Sequence, residues 1–212
     1  MNQCIPKLFS LMLIVVTTSC SNNKVEQIVK IKDNPIIEEL YKKDVGIRVL
    51  NEKTDTVILE NYDKIHRNKI FEMLANNLIR TPTDKYRAAL ILQHTAGKIC
   101  DGQLNSISPE NYLLAYHLSS NALSDLVKQK DSVTIQKQNF PRMIALNYDR
   151  YLLYSFGYQK FGTQFVFDDK TGEMLLAPVD TTLSNDKERK RHNVETLNHL
   201  LSSYKMKSMP RK

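Results

Sequence analysis

Residues 147–165 read NYDRYLLYSFGYQKFGTQF. The stretch places Asp149 and Arg150 inside an apolar run, breaks at Gly157, and then gathers Gln159, Thr163 and Gln164 within a few positions. With residues 143–156 helical, Met143, Leu146, Asp149, Arg150 and Leu153 fall at spacings of three and four, on the face that should be buried. A buried charge is costly unless it is paired and hydrogen-bonded. Adjacent helical residues point about 100° apart, so the two charges need partners from elsewhere rather than each other. The amides of Gln93, Gln159 and Gln164, the His94 imidazole and free backbone groups at the Gly157 break are the candidates. One reading makes this set a polar clamp that fixes helix against loop; another makes it a binding or catalytic site.

Upstream, helical periodicity dominates. Pro35 suits a first helical turn before IIEELYKKDVGIR, where Asp44 and Arg48 have the spacing of an ordinary helix-surface pair. Ile70, Phe71, Leu74 and Leu78 carry a second helix, with Asp63 and Arg67 one turn apart near its start. TPTD then stops that helix, and Thr83 is the expected N-cap of the next, which ends at Gly97 and carries Gln93 and His94. Residues 99–107 read as a polar connection containing Cys100. Ser108-Pro109-Glu110 opens a helix with the apolar stripe Ala115, Leu118, Ala122 and Leu126.

Beyond Gly162 the pattern alternates with a period of two, and DDKTGE is a turn before MLLAPV. That predicts a small hairpin holding Gln164 against the helices. Asn185 or Asp186 caps a last helix through Tyr204, with Val194, Leu197, Leu201 and Tyr204 inward. The fold class is therefore mainly α: a single helical-hairpin or bundle domain of about five or six helices, with a small β-hairpin after the Asp-Arg helix.

The N-terminus is an address. Lys7 precedes an apolar run over residues 8–16, too short to span a bilayer but suited to a signal-peptide core. Thr17, Thr18 and Ser19 lead into Cys20 in a pattern resembling the lipobox of bacterial lipoproteins, with Thr17 where leucine is usual. Residues 1–19 are the expected signal peptide, residues 20–34 the lipidated Cys20 and a tether, residues 35–204 the helical domain and residues 205–212 a basic tail. This predicts anchorage of the envelope protein in a membrane through lipid on Cys20, in the outer membrane of a Gram-negative bacterium. Cys4 leaves with the leader, so Cys100 is the remaining thiol and no intramolecular disulfide is available.

The formal charge of +7 is spread along the chain, with basic groups at residues 187–191 and 205–212. Without aromatic interleaving or a nucleic-acid motif it reads as solubility and contact with anionic headgroups, and nucleic acid is not an expected partner. The five histidines form no close ligand pair and no HExxH or CxxC occurs, so neither a metal nor another cofactor is expected. Six glycines in no phosphate-binding pattern argue against a Rossmann or P-loop site.

LILQH at residues 90–94, AxxLSxxAL at 115–123, ALNYDRYLLYSFGYQKFGTQF at 145–165 and ERKRHNV at 188–194 resemble a bacterial family of unknown function. Its members carry Gln-His in one helix, Asp-Arg in a later one, then Gly, Gln and a Gly-Thr-Gln triplet. An early Asp-x-x-x-Arg is matched here by Asp44 and Arg48. The resemblance covers most of the domain, implies no activity, and marks Gln93, His94, Asp149, Arg150, Gln159, Gly162, Thr163 and Gln164 as one set. The CDGQLNSISPE connection is longer than is usual there.

Three functions stay open. The first is a lipid-anchored domain binding an envelope protein or a small ligand through Gln93, Gln159, Thr163 and Gln164. The second is an enzyme with His94 as acid or base, Asp149 orienting it, and Arg150 and the glutamines holding an anion. The third is a purely structural protein in which the polar set staples helices to hairpin. An open pocket lined by His94, Asp149 and Gln164 would favour ligand or enzyme, and a sealed network would favour the staple.

Overall fold

A computed structural model describes residues 31–50, 56–94, 97–100, 103–106 and 108–208. The leader, Cys20, most of the tether and the end of the basic tail lie outside the described residues, as does the side chain of Cys100. Eight helices are present among them: α1 (Pro35–Leu50), α2 (Thr56–Ala75), α3 (Pro82–Gln93), α4 (Glu110–Lys128), α5 (Ser132–Lys137), α6 (Phe140–Phe156), α7 (Asp186–Arg191) and α8 (Leu197–Ser203). Strands β1 (Gly97–Cys100) and β2 (Gln103–Ser106) pair antiparallel, as do β3 (Phe165–Asp168) and β4 (Glu173–Leu176). The mainly helical architecture and the hairpin after the Asp-Arg helix match expectation. The added hairpin β1–β2 falls where the sequence reads as a polar connection, with Ile99 opposite Leu104.

Helix α3 is the hub, packed against α1, α2 and α4, while α4 also packs on α6. The main core joins Ile37 of α1, Ile70 and Met73 of α2, Ala88, Ala89, Ile91 and Leu92 of α3, and Ala115 and Leu118 of α4. The small stripe expected on α4 is therefore buried, Ala122 and Leu126 closing a second cluster on Phe140. Small side chains let the helices approach closely, which suits a hub.

Several boundaries differ from the sequence reading. Thr81, rather than Thr83, caps α3: its hydroxyl accepts the Asp84 N–H (3.1 Å), the Asp84 carboxylate accepts the Thr81 N–H (3.4 Å), and Pro82 fills the first turn. That reciprocal capping box needs an acid three residues after the cap, which Thr83 lacks. Helix α2 starts at Thr56, and Phe71 and Leu78 are exposed while Met73 is buried. The last helix is broken in two, because Asn193 adopts φ 52° and ends α7 before Thr196 caps α8. Leu200, not Leu201 or Tyr204, then faces inward with Leu176 and Val179. On α6 the buried face runs through Phe140, Met143, Ile144, Ala145, Asn147, Asp149 and Leu152, while Leu146, Arg150 and Leu153 lie half-buried at its edge. Gly157 ends α6 in the left-handed region at φ 81°, as the break in the sequence predicts.

Candidate functional site

The polar residues of 147–165 resolve into two assemblies with different jobs. The first is centred on Asp149, which is fully buried. Its Oδ1 accepts the backbone N–H of Lys160 and of Phe161, each at 2.8 Å. Its Oδ2 accepts the Thr163 N–H at 3.0 Å and the Thr163 hydroxyl at 2.8 Å. Burial pushes the Asp149 pKa up, against the hydrogen bonds from Phe161, Thr163 and Lys160, which favour the anion. All the acceptor capacity of this carboxylate is spent on one loop.

Gln159 does the same for the hairpin. Its side-chain amide donates to the Gln164 and Ala177 carbonyls (2.9 and 2.8 Å) and its Oε1 accepts the Gln164 N–H (2.8 Å). The fully buried Arg189 donates from Nη2 to the Lys160 carbonyl at 3.1 Å, closing the loop from the far side. Burial lowers the Arg189 pKa, and the charges of Asp186, Asp149 and Glu188 oppose that shift. Gly162 sits between these anchors at φ +86°, where an added Cβ would lie 2.6 Å from Leu200 Cδ1. The Gly-Thr-Gln triplet is thus explained as backbone architecture: a left-handed glycine, a threonine clamped by Asp149 and a glutamine clamped by Gln159.

The second assembly lies at the C-terminal end of α3. Arg150 donates from Nη1 to the Gln93 carbonyl (2.8 Å) and from Nε to Gln164 Oε1 (3.1 Å), while Gln164 Nε2 donates to Thr163 Oγ1 (2.9 Å). Arg150 therefore caps α3 and carries α6 to the hairpin. Both its partners are neutral, and no carboxylate pairs with it among the described residues. Burial lowers its pKa; Tyr112 and Tyr154 oppose the shift, and the nearby Arg48 charge adds to it. The Tyr112 ring lies 6.0 Å from the guanidinium carbon. Gln93 is buried with its Nε2 unpartnered among the described residues.

Next to Gln93, His94 meets an unexpected partner. Its Nδ1 lies 2.6 Å from Oδ2 of Asp44, a fully buried carboxylate from the middle of α1. Asp44 Oδ1 also faces Arg48 Nη1 at 3.0 Å and His66 Nδ1 of α2 at 3.4 Å. Arg48 turns its Nη2 onto Asp63 of α2. Burial works against the Asp44 charge, but hydrogen bonds from His66 and His94 and the His94 and Arg48 charges outweigh it and hold the pKa at about 2. At Asp63 burial prevails over the Arg48 bond and raises the pKa.

These contacts correct three expectations. Asp149 does not orient His94; Asp44 does, because Asp149 is consumed by the loop over residues 160–163. Asp44 and Arg48 do pair along an α1 that Gly46 leaves unbroken, but at a buried junction of three helices rather than on the surface, because His66 of α2 and His94 at the end of α3 close over Asp44. Asp63 reaches Arg48 instead of Arg67. Of the proposed ligand residues, Gln159 and Thr163 are held inside the staple, and Gln93 and Gln164 flank Arg150. Asp44, Asp63 and His66 were not singled out from sequence as site residues.

The exposure of this assembly is polarised. Asp44 is fully buried and Asp63 nearly so, whereas the side chains of His94 and Arg48 keep 21% and 26% exposure and Arg150 is half-buried. Asp44, Asp63 and His66 point in, while Arg48, His94 and Arg150 reach the solvent edge. Two shallow grooves of about 660 and 310 Å³ lie elsewhere, one around Asn34, Leu78 and Asp84 and the other between β4 and Tyr204; neither includes His94, Asp149 or Arg150. No cluster of three His, Cys, Asp or Glu residues able to hold a metal occurs among the described residues, and none of their helices is long and apolar enough to cross a membrane.

Fold and site together define a helical bundle with a stapled hairpin and a basic-faced Asp-His junction. No family model, curated protein or solved structure matches the chain.

Proposed function

We propose that this is a lipid-anchored envelope protein that binds a small ligand carrying an anionic group, at the surface formed by His94, Arg48 and Arg150. The observation that carries the reading is the polarised junction: buried Asp44 and Asp63 fix the basic side chains, and the basic side chains keep the solvent edge. Arg150 supports it independently, because a guanidinium satisfied by two neutral oxygens retains its charge for a ligand. Gln93 and Gln164 orient that charge by accepting from Arg150, through the Gln93 carbonyl and Gln164 Oε1. The likeness to the bacterial family with Gln-His, Asp-Arg and Gly-Thr-Gln motifs belongs to the same proposal, as do the lipid on Cys20 and the outer-membrane address.

Titration calorimetry of the mature chain carrying Cys20→Ser, with glutarate and inorganic phosphate as probes, tests the binding. Arg150→Met should weaken the bound anion about tenfold or more, since a hydrogen bond to a charged group contributes roughly 1.5–3 kcal/mol. Binding that is absent for both probes, or untouched by Arg150→Met and His94→Gln in folded variants, refutes the reading. The address is tested separately: Cys20→Ser should move the protein from the membrane to the soluble fraction, and continued membrane association would refute lipidation at Cys20.

A further inference from the structure

The Asp44–His94 contact does more than hold a charge at the surface. The Asp44 carboxylate already takes the Arg48 guanidinium on Oδ1 and acts as an acceptor, so the proton of the 2.6 Å contact sits on His94 Nδ1. The lone pair of the neutral ring is then on Nε2. That atom lies across the ring from the buried Asp44, has no partner among the described residues, and belongs to a side chain with 21% exposure. Arg48 holds Asp44 from a second direction through Nη1 and is itself fixed by Asp63 through Nη2, so the carboxylate cannot swing away. His66 shares Asp44 but is buried, leaving His94 as the accessible base of the pair.

We propose that His94 is the proton-transfer group of a hydrolase whose substrate is a small ester or amide bearing a free carboxylate. This rests on the anion-binding reading above, with Arg150 taking the substrate's carboxylate. In the step, a water gives a proton to His94 Nε2 as its oxygen bonds to the acyl carbon, and the carbonyl electron pair moves onto oxygen. Collapse of that tetrahedral species breaks the bond to the leaving alcohol or amine, which takes the proton back from His94. The products are a carboxylic acid and an alcohol or amine, and the imidazole ends as it began.

One accessible histidine at this junction selects acyl over phosphoryl chemistry. In-line displacement at phosphorus puts attacking and leaving oxygens at opposite ends, so one imidazole cannot serve both. Addition to a planar carbonyl leaves both groups on one tetrahedral carbon, within reach of the same nitrogen. His94 is the catalytic residue here; Asp44 is a positioning residue that sets its tautomer, and Arg48 positions Asp44.

The experiment uses the mature chain carrying Cys20→Ser with mono-p-nitrophenyl glutarate, against the neutral p-nitrophenyl butyrate. Saturable release of nitrophenolate, faster from the glutarate monoester, is expected. His94→Gln should lower kcat about 100-fold or more, the size of a lost general base. Asp44→Asn should act on kcat in the same sense, and Arg150→Met should raise KM for the glutarate ester alone. Where Asp44→Asn does not fold, His94→Gln and the ester selectivity of the unmutated site still decide. Glutarate binding with hydrolysis at the buffer rate, or hydrolysis unaffected by His94→Gln, overturns the catalytic proposal and leaves anion binding standing. Failure of glutarate to bind overturns the catalytic proposal, and failure of inorganic phosphate to bind as well overturns both.

Discussion

Thr163 gives Asp149 two hydrogen bonds at once, its backbone N–H at 3.0 Å and its hydroxyl at 2.8 Å, both to the same Oδ2. With Oδ1 taking the N–H groups of Lys160 and Phe161, one helical carboxylate satisfies a whole turn of loop backbone that would otherwise be buried without partners. The staple joins α6 to the segment that leads into β3, and so sets where Gln164 meets Arg150.

Asp149→Ala removes the acceptor and strands four donors, three of them buried and the Lys160 N–H part-buried. Breaking a buried charged network of this kind costs roughly 3–5 kcal/mol, enough to lower the unfolding midpoint by about 10 °C. Thr163→Val keeps the backbone bond and loses the hydroxyl, so about 1–2 kcal/mol is expected. Thermal unfolding of both variants checks this, and an Asp149→Ala loss no larger than that of Thr163→Val would contradict the staple.

Gly162→Ala should also be costly, for a steric reason. At φ +86° an alanine pays for the left-handed backbone, and its Cβ would meet Leu200 Cδ1 at 2.6 Å within the cluster of Leu176, Val179 and Leu200. The two effects together predict a loss of about 2–4 kcal/mol. Because the second effect comes from Leu200, the penalty should shrink in a Leu200→Ala background; chemical denaturation of the four proteins of that cycle measures the coupling.

What could be read from the sequence was what is local. The Gly157 break, the α4 stripe and the grouping of Gln159, Thr163 and Gln164 with the Asp-Arg helix are all set by neighbours within one or two turns. The Asp44–His94 contact spans 50 residues, and its i, i+4 partner Arg48 gives Asp44 the look of a solvated pair. Nothing within α1 announces that α2 and α3 will close over it. The Thr81 cap and the β1–β2 hairpin did have signals: an acid at the third helical position, and the Asp101-Gly102 dipeptide between two short runs.

Acid should reach the Asp44 junction in a defined window. Its pKa is depressed in the folded state from 3.8 to about 2, so its contribution is fully present above the unfolded value and is lost as pH falls through the folded one. The shift corresponds to about 2 kcal/mol, fading between roughly pH 5 and pH 2. Asp63 and Asp149, both pushed up by burial, act with the opposite sign, which makes the wild-type profile alone uninformative. The difference between wild type and Asp44→Asn isolates the effect: the wild-type advantage in urea unfolding should narrow by about 2 kcal/mol from pH 6 to pH 2. An advantage constant over that range would mean Asp44 is not held as an anion by its neighbours.

His94→Gln separates the two assemblies. Asp149 is sealed and supports four donors, whereas the His94 ring is partly exposed and Asp44 keeps Arg48 and His66 when it is replaced. The cost to stability should therefore stay within about 1.5–3 kcal/mol, the value of a hydrogen bond to a charged group and below the loss expected for Asp149→Ala. A folded, modestly destabilised His94→Gln protein that has lost anion binding would place His94 in the ligand site rather than in the architecture. A loss as large as that of Asp149→Ala would make His94 a second staple, and the basic face would then be a by-product of how α1, α2 and α3 are joined.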